Sequence, residues 1–202
     1  LARGIRSAVS APVISSNRIN DPKEAEEILR SGGADLVTMA RGLLADPELP
    51  NKARTGKSRL IYHCVACNQG CFDSIFQGRP ATCTVNPRAG REAELLMKPA
   101  SKSKKILVVG GGPAGMTVAC TAKERGHHVI LMEKSENLGG QILLNHSIPG
   151  RGELETAAID LIHNLHDKGV ETIMGKEVTP AVVGQLAPDV VVVAAGARPA
   201  KP

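Results

Sequence analysis

The sequence predicts an α/β protein with parallel sheets, on three observations. A strand, helix, strand order is legible in both halves of the chain. A glycine-rich Val-Val-Gly-Gly-Gly-Pro-Ala-Gly run joins a strand to a helix in the second half, and a cysteine-rich stretch full of glycine and proline lies between the halves. The 202 residues suffice for one domain or two small ones, and 42% apolar content is ample for a core.

Residues 1 to 59 read as strand, helix, strand, helix. Pro12 to Ser16 is a short apolar strand. Asp21-Pro22-Lys23-Glu24 then opens a helix with an N-cap acid, a first-turn proline and a capping-box glutamate, and Ala25, Ile28 and Leu29 give it one buried face. Ser31-Gly32-Gly33 ends it, and Asp35 to Met39 is the second strand, which makes a βαβ unit with a parallel pair. Two strands cannot bury both faces or close a barrel, so the chain reads as a piece cut from something larger, and the lack of an initiating methionine agrees.

Residues 60 to 100 carry too many breakers for regular structure beyond a short helix near Phe72 to Gln77, with Phe72 and Phe76 available to shield a bound group from water or, equally, to form the small local core of the loop. Lys98 to Lys105 is a polar linker and marks a domain boundary. From residue 104 the α/β pattern restarts. Ile106 to Val109 is a strand, Pro113 to Arg125 a helix stopped by Gly126, and Val129 to Met132 a strand. Leu154, Ala158, Leu161, Ile162 and Leu165 share a helix face, ended by Gly169. Val170 to Met174 and Val190 to Ala194 are strands, the latter apolar throughout as a central parallel strand should be.

Two motifs carry chemistry. Cys64, Cys67, Cys71 and Cys83 stand as C-x2-C-x3-C-x11-C. Soft thiolates bunched in this way suit a [4Fe-4S] cluster, whereas structural zinc usually takes two short C-x2-C pairs and finds one here. The second motif is Gly110, Gly112 and Gly115 between strand and helix, where glycines let a pyrophosphate approach the helix start. Glu133, ending the next strand, is placed to accept from ribose hydroxyls, which favours FAD or NAD over NADP, although Lys134 stands beside it. Cys120 reads as a small core residue, His63 as a surface or outer-shell group, and His127 and His128 as the entry to a strand.

Composition excludes other classes. The net charge of +5 is scattered and aromatics make up 1%, so no stacking platform for bases exists and nucleic acid is not expected as a partner. No run of eighteen apolar residues and no apolar leader suggests a membrane span or secretion, and clustered cysteines fit a reducing compartment, so a cytoplasmic location is expected.

Ser16-Asn17-Arg18-Ile19-Asn20-Asp21-Pro22, Met39-Ala40-Arg41, Leu44-Ala45-Asp46, Cys64-x-x-Cys67-Asn68-Gln69-x-Cys71, Val85-Asn86-Pro87-Arg88-Ala89 and Gly139-Gly140-Gln141 resemble motifs of one family. It comprises the iron–sulfur flavoprotein oxidoreductases that join an old-yellow-enzyme-type barrel to a pyridine-nucleotide-disulfide-reductase-type FAD module. The nearest group within it is the bacterial NADPH-dependent 2,4-dienoyl-CoA reductases of fatty acid β-oxidation. Enoate reductases, NADH:flavin oxidoreductases and trimethylamine dehydrogenase share the frame.

The resemblance implies that residues 1–59 are the last two βα units of a TIM barrel holding FMN, with Arg18, Ala40 and Arg41 gripping its phosphate. It makes residues 60–100 the cluster segment, with Cys64, Cys67, Cys71 and Cys83 as ligands, and residues 101–202 the N-terminal part of an FAD-binding Rossmann-like domain. There Gly110, Gly112, Ala114, Gly115, Glu133, Gln141 and Arg151 match FAD-contacting positions, and Val178 offers backbone groups to adenine. Ala194-Ala195-Gly196-Ala197-Arg198-Pro199 is similar to the family's second flavin motif, with alanine at 195 where threonine is usual. The implied circuit runs from NADPH or NADH through FAD and the cluster to FMN, which reduces a conjugated double bond in a small substrate, an unsaturated acyl-CoA. Proton donors and the nicotinamide domain would lie outside these residues, so no catalytic residue is assigned and the chain alone is expected to be inactive. The competing class is a zinc-stapled nucleotide-binding module without redox activity.

Overall fold

The computed structural model describes residues 1–197, divided into two compact units, Leu1–Glu94 and Leu95–Pro202. Arg198 and Pro199 of the second flavin motif lie outside the described residues.

The first unit opens with a short helix α1 (Ala2–Arg6) that the sequence pattern did not announce. Strand β1 (Ile14–Ser15), helix α2 (Pro22–Arg30) and strand β2 (Leu36–Val37) form the expected βαβ unit, the strands pairing in parallel with Ile14 opposite Leu36 and Ser15 opposite Val37. Both strands are shorter than predicted, and at their start the Asp35 carboxylate accepts the Val13 N–H at 2.9 Å. Helix α2 starts as its sequence dictates, with the Asp21 side chain accepting the Lys23 N–H at 2.7 Å and proline in the first turn. Its apolar face is only partly covered: Ala25 is buried, Ile28 half-buried and Leu29 exposed, which corrects the expectation that all three are buried.

In place of one following helix there are two, α3 (Ala40–Ala45) and α4 (Leu49–Arg54). Asp46 divides them. Its backbone is extended, and its buried carboxylate accepts the Glu48 and Tyr62 N–H groups at 3.0 and 2.9 Å and the Lys52 ammonium at 2.6 Å. The cysteine segment then runs irregularly except for α5 (Phe72–Phe76).

The second unit is a four-stranded parallel sheet in the order β5-β4-β3-β6, built from β3 (Lys105–Val109), β4 (His128–Met132), β5 (Glu171–Ile173) and β6 (Val190–Val193). Helix α6 (Pro113–Glu124) makes the β3 to β4 crossover and packs against α7 (Thr156–Asp167). Helix α8 (Pro180–Leu186) returns in the opposite direction to β6, and since such crossovers share one hand it covers the other face. There Val182, Val183 and Leu186 pack on Leu107, Ile130 and Met132. The alternate residues Val108, Val129 and Leu131 are fully buried on the α6 side.

The second unit also departs from the sequence reading. The α8 helix was missed, although Thr179-Pro180 repeats the cap-then-proline signal of Asp21-Pro22 and the Thr179 hydroxyl accepts the Val182 N–H. Strand β6 was read as central from its four valines, yet it is the edge strand of this sheet, with Val191 and Val193 exposed. Apolar composition reports what a strand tolerates on its faces, not its place in the order. Among the described residues no helix is long and apolar enough to cross a membrane.

Candidate functional site

In the first unit the chain leaves β1 through two successive left-handed residues, Asn17 (φ 77°) and Arg18 (φ 64°), a conformation disfavoured for side-chain-bearing residues. This turn, the start of α3 and the first arm of the cysteine segment enclose a cavity of about 270 Å³ whose lining includes Arg18, Ala40, Arg41 and Cys64. The predicted phosphate grippers therefore do face one space. Arg41 is fixed in it by donating to Asn68 Oδ1 at 2.9 Å and Asn17 Oδ1 at 3.4 Å, with its guanidinium 5.6 Å from the Phe72 ring centre.

Arg41 and Cys64 also line a second cavity, which gathers all four predicted ligands, Cys64, Cys67, Cys71 and Cys83. Its arms are tied down from outside. Asn20 donates to the Cys64 carbonyl at 2.7 Å, Asn86 to the Leu44 carbonyl at 2.9 Å, and the Asp46–Lys52 pair holds the approach at Leu60 and Tyr62. Across the cavity the Thr82 N–H donates to the Gly70 carbonyl at 2.6 Å, and a Cβ on Gly70 would come within 2.8 Å of Thr82, so glycine is required for the two arms to meet.

Burial pushes the Cys83 thiol above its ordinary range, against the pull of the Val85 and Asn86 N–H groups aimed at its sulfur, and the nearby Cys64 and Cys67 push it further. Among the described residues no three His, Cys, Asp or Glu side chains are grouped as a single metal ion would require. The four thiols share the lining of one cavity. The donor set itself, four soft sulfurs with N–H groups directed at one of them, fits an iron–sulfur group. Phe72 lines the arginine cavity, Phe76 is 81% exposed, and the two rings stack with centroids 6.0 Å apart. Cys120 is a buried core residue of α6, its thiol pushed by burial up to about 11.

In the second unit the glycine loop runs from β3 into α6. Gly110 has φ +110°, and a Cβ there would strike the Ala194 carbonyl, while one on Gly115 would strike the Gly110 carbonyl. Both glycines are demanded by the packing of loop on sheet. Gly112 differs: its backbone is extended, and a Cβ would meet nothing within 4 Å. It opens onto the space before the first turn of α6, where Ala114 is exposed.

Gly139, at φ +116°, donates its N–H to the Gly111 carbonyl at 2.8 Å, and a Cβ on Gly140 would come within 3.1 Å of the Gly112 Cα, so the double glycine walls this space. The Glu133 carboxylate accepts the Gly111 N–H at 2.7 Å and the Ser135 N–H and hydroxyl at 2.9 and 2.8 Å. Partial burial pushes its carboxyl up, but these hydrogen bonds outweigh that and hold it below its usual range. Glu133 thus braces the loop itself. Gln141 donates to the Ala197 carbonyl at 2.6 Å, beyond the end of β6.

Gly110, Gly112, Ala114, Gly115, Glu133 and Gln141 are thereby brought to the carboxyl ends of β3, β4 and β6. Arg151 is exposed just before a 3-10 turn, Gly152–Glu155, and Val178 packs on the sheet core of Leu107, Ile130 and Met132. Sequence reasoning did not assign the residues that position the sites: Asn17 and Asn68 on Arg41, Asp46 with Lys52, and Thr84 beside Cys67. Asn17, Asp46 and Asn68 stand in the quoted motifs, but Arg41 is 24 and 27 residues from its two asparagines and Tyr62 is 16 from Asp46.

Residues 2–59 match the NADH:flavin oxidoreductase / NADH oxidase family, and residues 104–202 the pyridine nucleotide-disulphide oxidoreductase family. A metal reductase of Desulforamulus reducens is 47% identical over 206 residues, and an NADH oxidase of Thermoanaerobacter brockii is 43% identical over 204 residues; each alignment takes in 100% of this chain and 31% of the relative. A solved structure of 2-naphthoyl-CoA reductase with 2-naphthoyl-CoA matches with a TM-score of 0.94 at 37% identity, over 98% of this chain and 30% of that one. The chain therefore spans less than a third of the length of these relatives. It belongs to the FMN- and FAD-linked oxidoreductases, with βα units of the TIM-barrel NADH:flavin oxidoreductase type followed by a Rossmann-like sheet of the pyridine nucleotide-disulphide oxidoreductase type.

Proposed function

We propose that this chain is the cofactor-carrying section of a longer NAD(P)H-dependent reductase that holds FMN, a [4Fe-4S] cluster and FAD. Its substrate is a small unsaturated acyl-CoA, a 2,4-dienoyl-CoA in the first instance, reduced at a conjugated double bond. The observation that carries the reading is the shared wall of the two cavities in the first unit. Arg41 and Cys64 line both the arginine cavity and the thiol cavity, so an anionic cofactor tail and a metal cluster would sit side by side. The acyl-CoA part is supported by the likeness to the 2-naphthoyl-CoA reductase, and NAD(P)H use by the pyridine nucleotide family match.

When bound, the cluster would supply one-electron transfer between two flavins that exchange hydrides or electrons with their own partners. The chain's residues provide the setting. Cys64, Cys67, Cys71 and Cys83 would hold the cluster, and Arg18, Arg41 and the Ala40 backbone the FMN phosphate. Gly112, Ala114 and the α6 start would receive the FAD pyrophosphate, with Glu133 at its ribose.

Anaerobic reconstitution tests the cluster: about four iron and four sulfide per chain are expected, abolished by Cys83→Ala and untouched by Cys120→Ala. Full iron in Cys83→Ala would sink the ligand assignment. NADPH oxidation by the full-length polypeptide with a 2,4-dienoyl-CoA tests the substrate, and turnover on a free enoate or an amine in its place would move the substrate class while leaving the cofactor sites standing.

A further inference from the structure

We propose that Thr84 raises the reduction potential of the cluster, as a positioning residue that acts through Cys67. The inference rests on the iron–sulfur reading above. Thr84 Oγ1 stands 3.1 Å from Cys67 Sγ, and both residues line the thiol cavity. They come from opposite arms of the segment, Cys67 from the first and Thr84 from the residue directly after Cys83. In the free thiol either atom could donate. A ligating thiolate carries no proton, so the hydroxyl alone can then be the donor, which fixes the direction of the bond.

One-electron reduction adds negative charge that is shared with the ligand sulfurs. A donor aimed at such a sulfur therefore binds the reduced state more strongly than the oxidised one, and the potential rises. The Val85 and Asn86 N–H groups at Cys83 belong to the backbone and survive any side-chain substitution. The Thr82 hydroxyl is directed instead to the Gly70 carbonyl, at 3.1 Å. Thr84 is thus a side-chain donor whose removal spares the four ligands.

The experiment reconstitutes the full chain anaerobically with iron and sulfide and titrates it with dithionite, following the loss of visible absorbance and the electron paramagnetic resonance signal of the reduced cluster. Thr84→Val and Thr84→Ala are expected to hold the wild-type iron content while the one-electron equilibrium constant falls about tenfold, which is roughly 59 mV to lower potential. Thr84→Ser, which keeps the hydroxyl, is expected to restore the wild-type value. An unshifted potential in an iron-loaded Val or Ala variant would overturn the role of Thr84, and where valine prevents loading the alanine potential decides. So would a serine variant that shifts as far as alanine. A wild-type chain that takes up no iron would overturn the cluster reading itself and this inference with it.

Discussion

Gly112 and Gly115, three residues apart at the start of α6, are glycines for different physical reasons. At Gly115 a side chain collides with the Gly110 carbonyl, whereas at Gly112 it enters open space. Stability and binding are therefore expected to separate. Gly115→Ala should lower the stability of the chain by about 1–3 kcal/mol, the usual cost of overpacking, seen as a lower melting temperature. Gly112→Val should leave melting within about 0.5 kcal/mol of wild type and abolish FAD binding measured by fluorescence. A Gly112→Val chain that still binds FAD would remove the cofactor from this loop. The sequence showed the three-glycine spacing but could not separate these roles, since the difference lies in a carbonyl that the fold brings back against residue 115. The same limit applied at Glu133, legible as an acid ending a strand, whose oxygens prove to be shared with Gly111 and Ser135.

At the scale of elements, the device that positions the thiol cavity is the break between α3 and α4. Asp46 is buried there and pairs with Lys52, their side chains 4% and 20% exposed, and together they hold the Tyr62 N–H and the Leu60 carbonyl two to four residues before the first ligand. Removing one partner of such a pair leaves the other charge uncompensated. Asp46→Ala is expected to cost about 3–5 kcal/mol in urea denaturation and to lower iron retention, although neither residue touches the cavity. An Asp46→Ala chain as stable as wild type would show the approach to Cys64 to be held elsewhere. Helix α2 was legible because its signals, Asp21, Pro22 and the spaced apolar residues, are local. The α3–α4 break was not, because what makes Asp46 stable in the interior is Lys52 and a backbone group sixteen residues on.

For the whole molecule, the informative residues are apolar ones left in water. Ile14 and Leu36 are 57% and 54% exposed on one face of the β1–β2 pair, and Val193 is 75% exposed on the edge strand of the larger sheet. Uncovered apolar sheet faces and unpaired strand edges promote association. The isolated chain is expected to self-associate with rising concentration in sedimentation velocity, and Leu36→Lys combined with Val193→Lys to reduce it. A wild-type chain that stays monomeric would show these surfaces to be tolerated. The parallel α/β class was legible across both halves because alternation of strand and helix is written into composition and caps. The position of β6 in its sheet was not, since four valines satisfy the pattern of a central strand and of an edge alike.

Because Arg41 and Cys64 each belong to two cavities, the effects of changing them cannot be divided between those cavities. A substitution in the arginine cavity and one in the thiol cavity will sum simply only if both avoid these two positions; through either of them the pair becomes non-additive. Variation at these two positions is thereby constrained by what both cavities must keep, while the remaining lining of each is free to vary on its own.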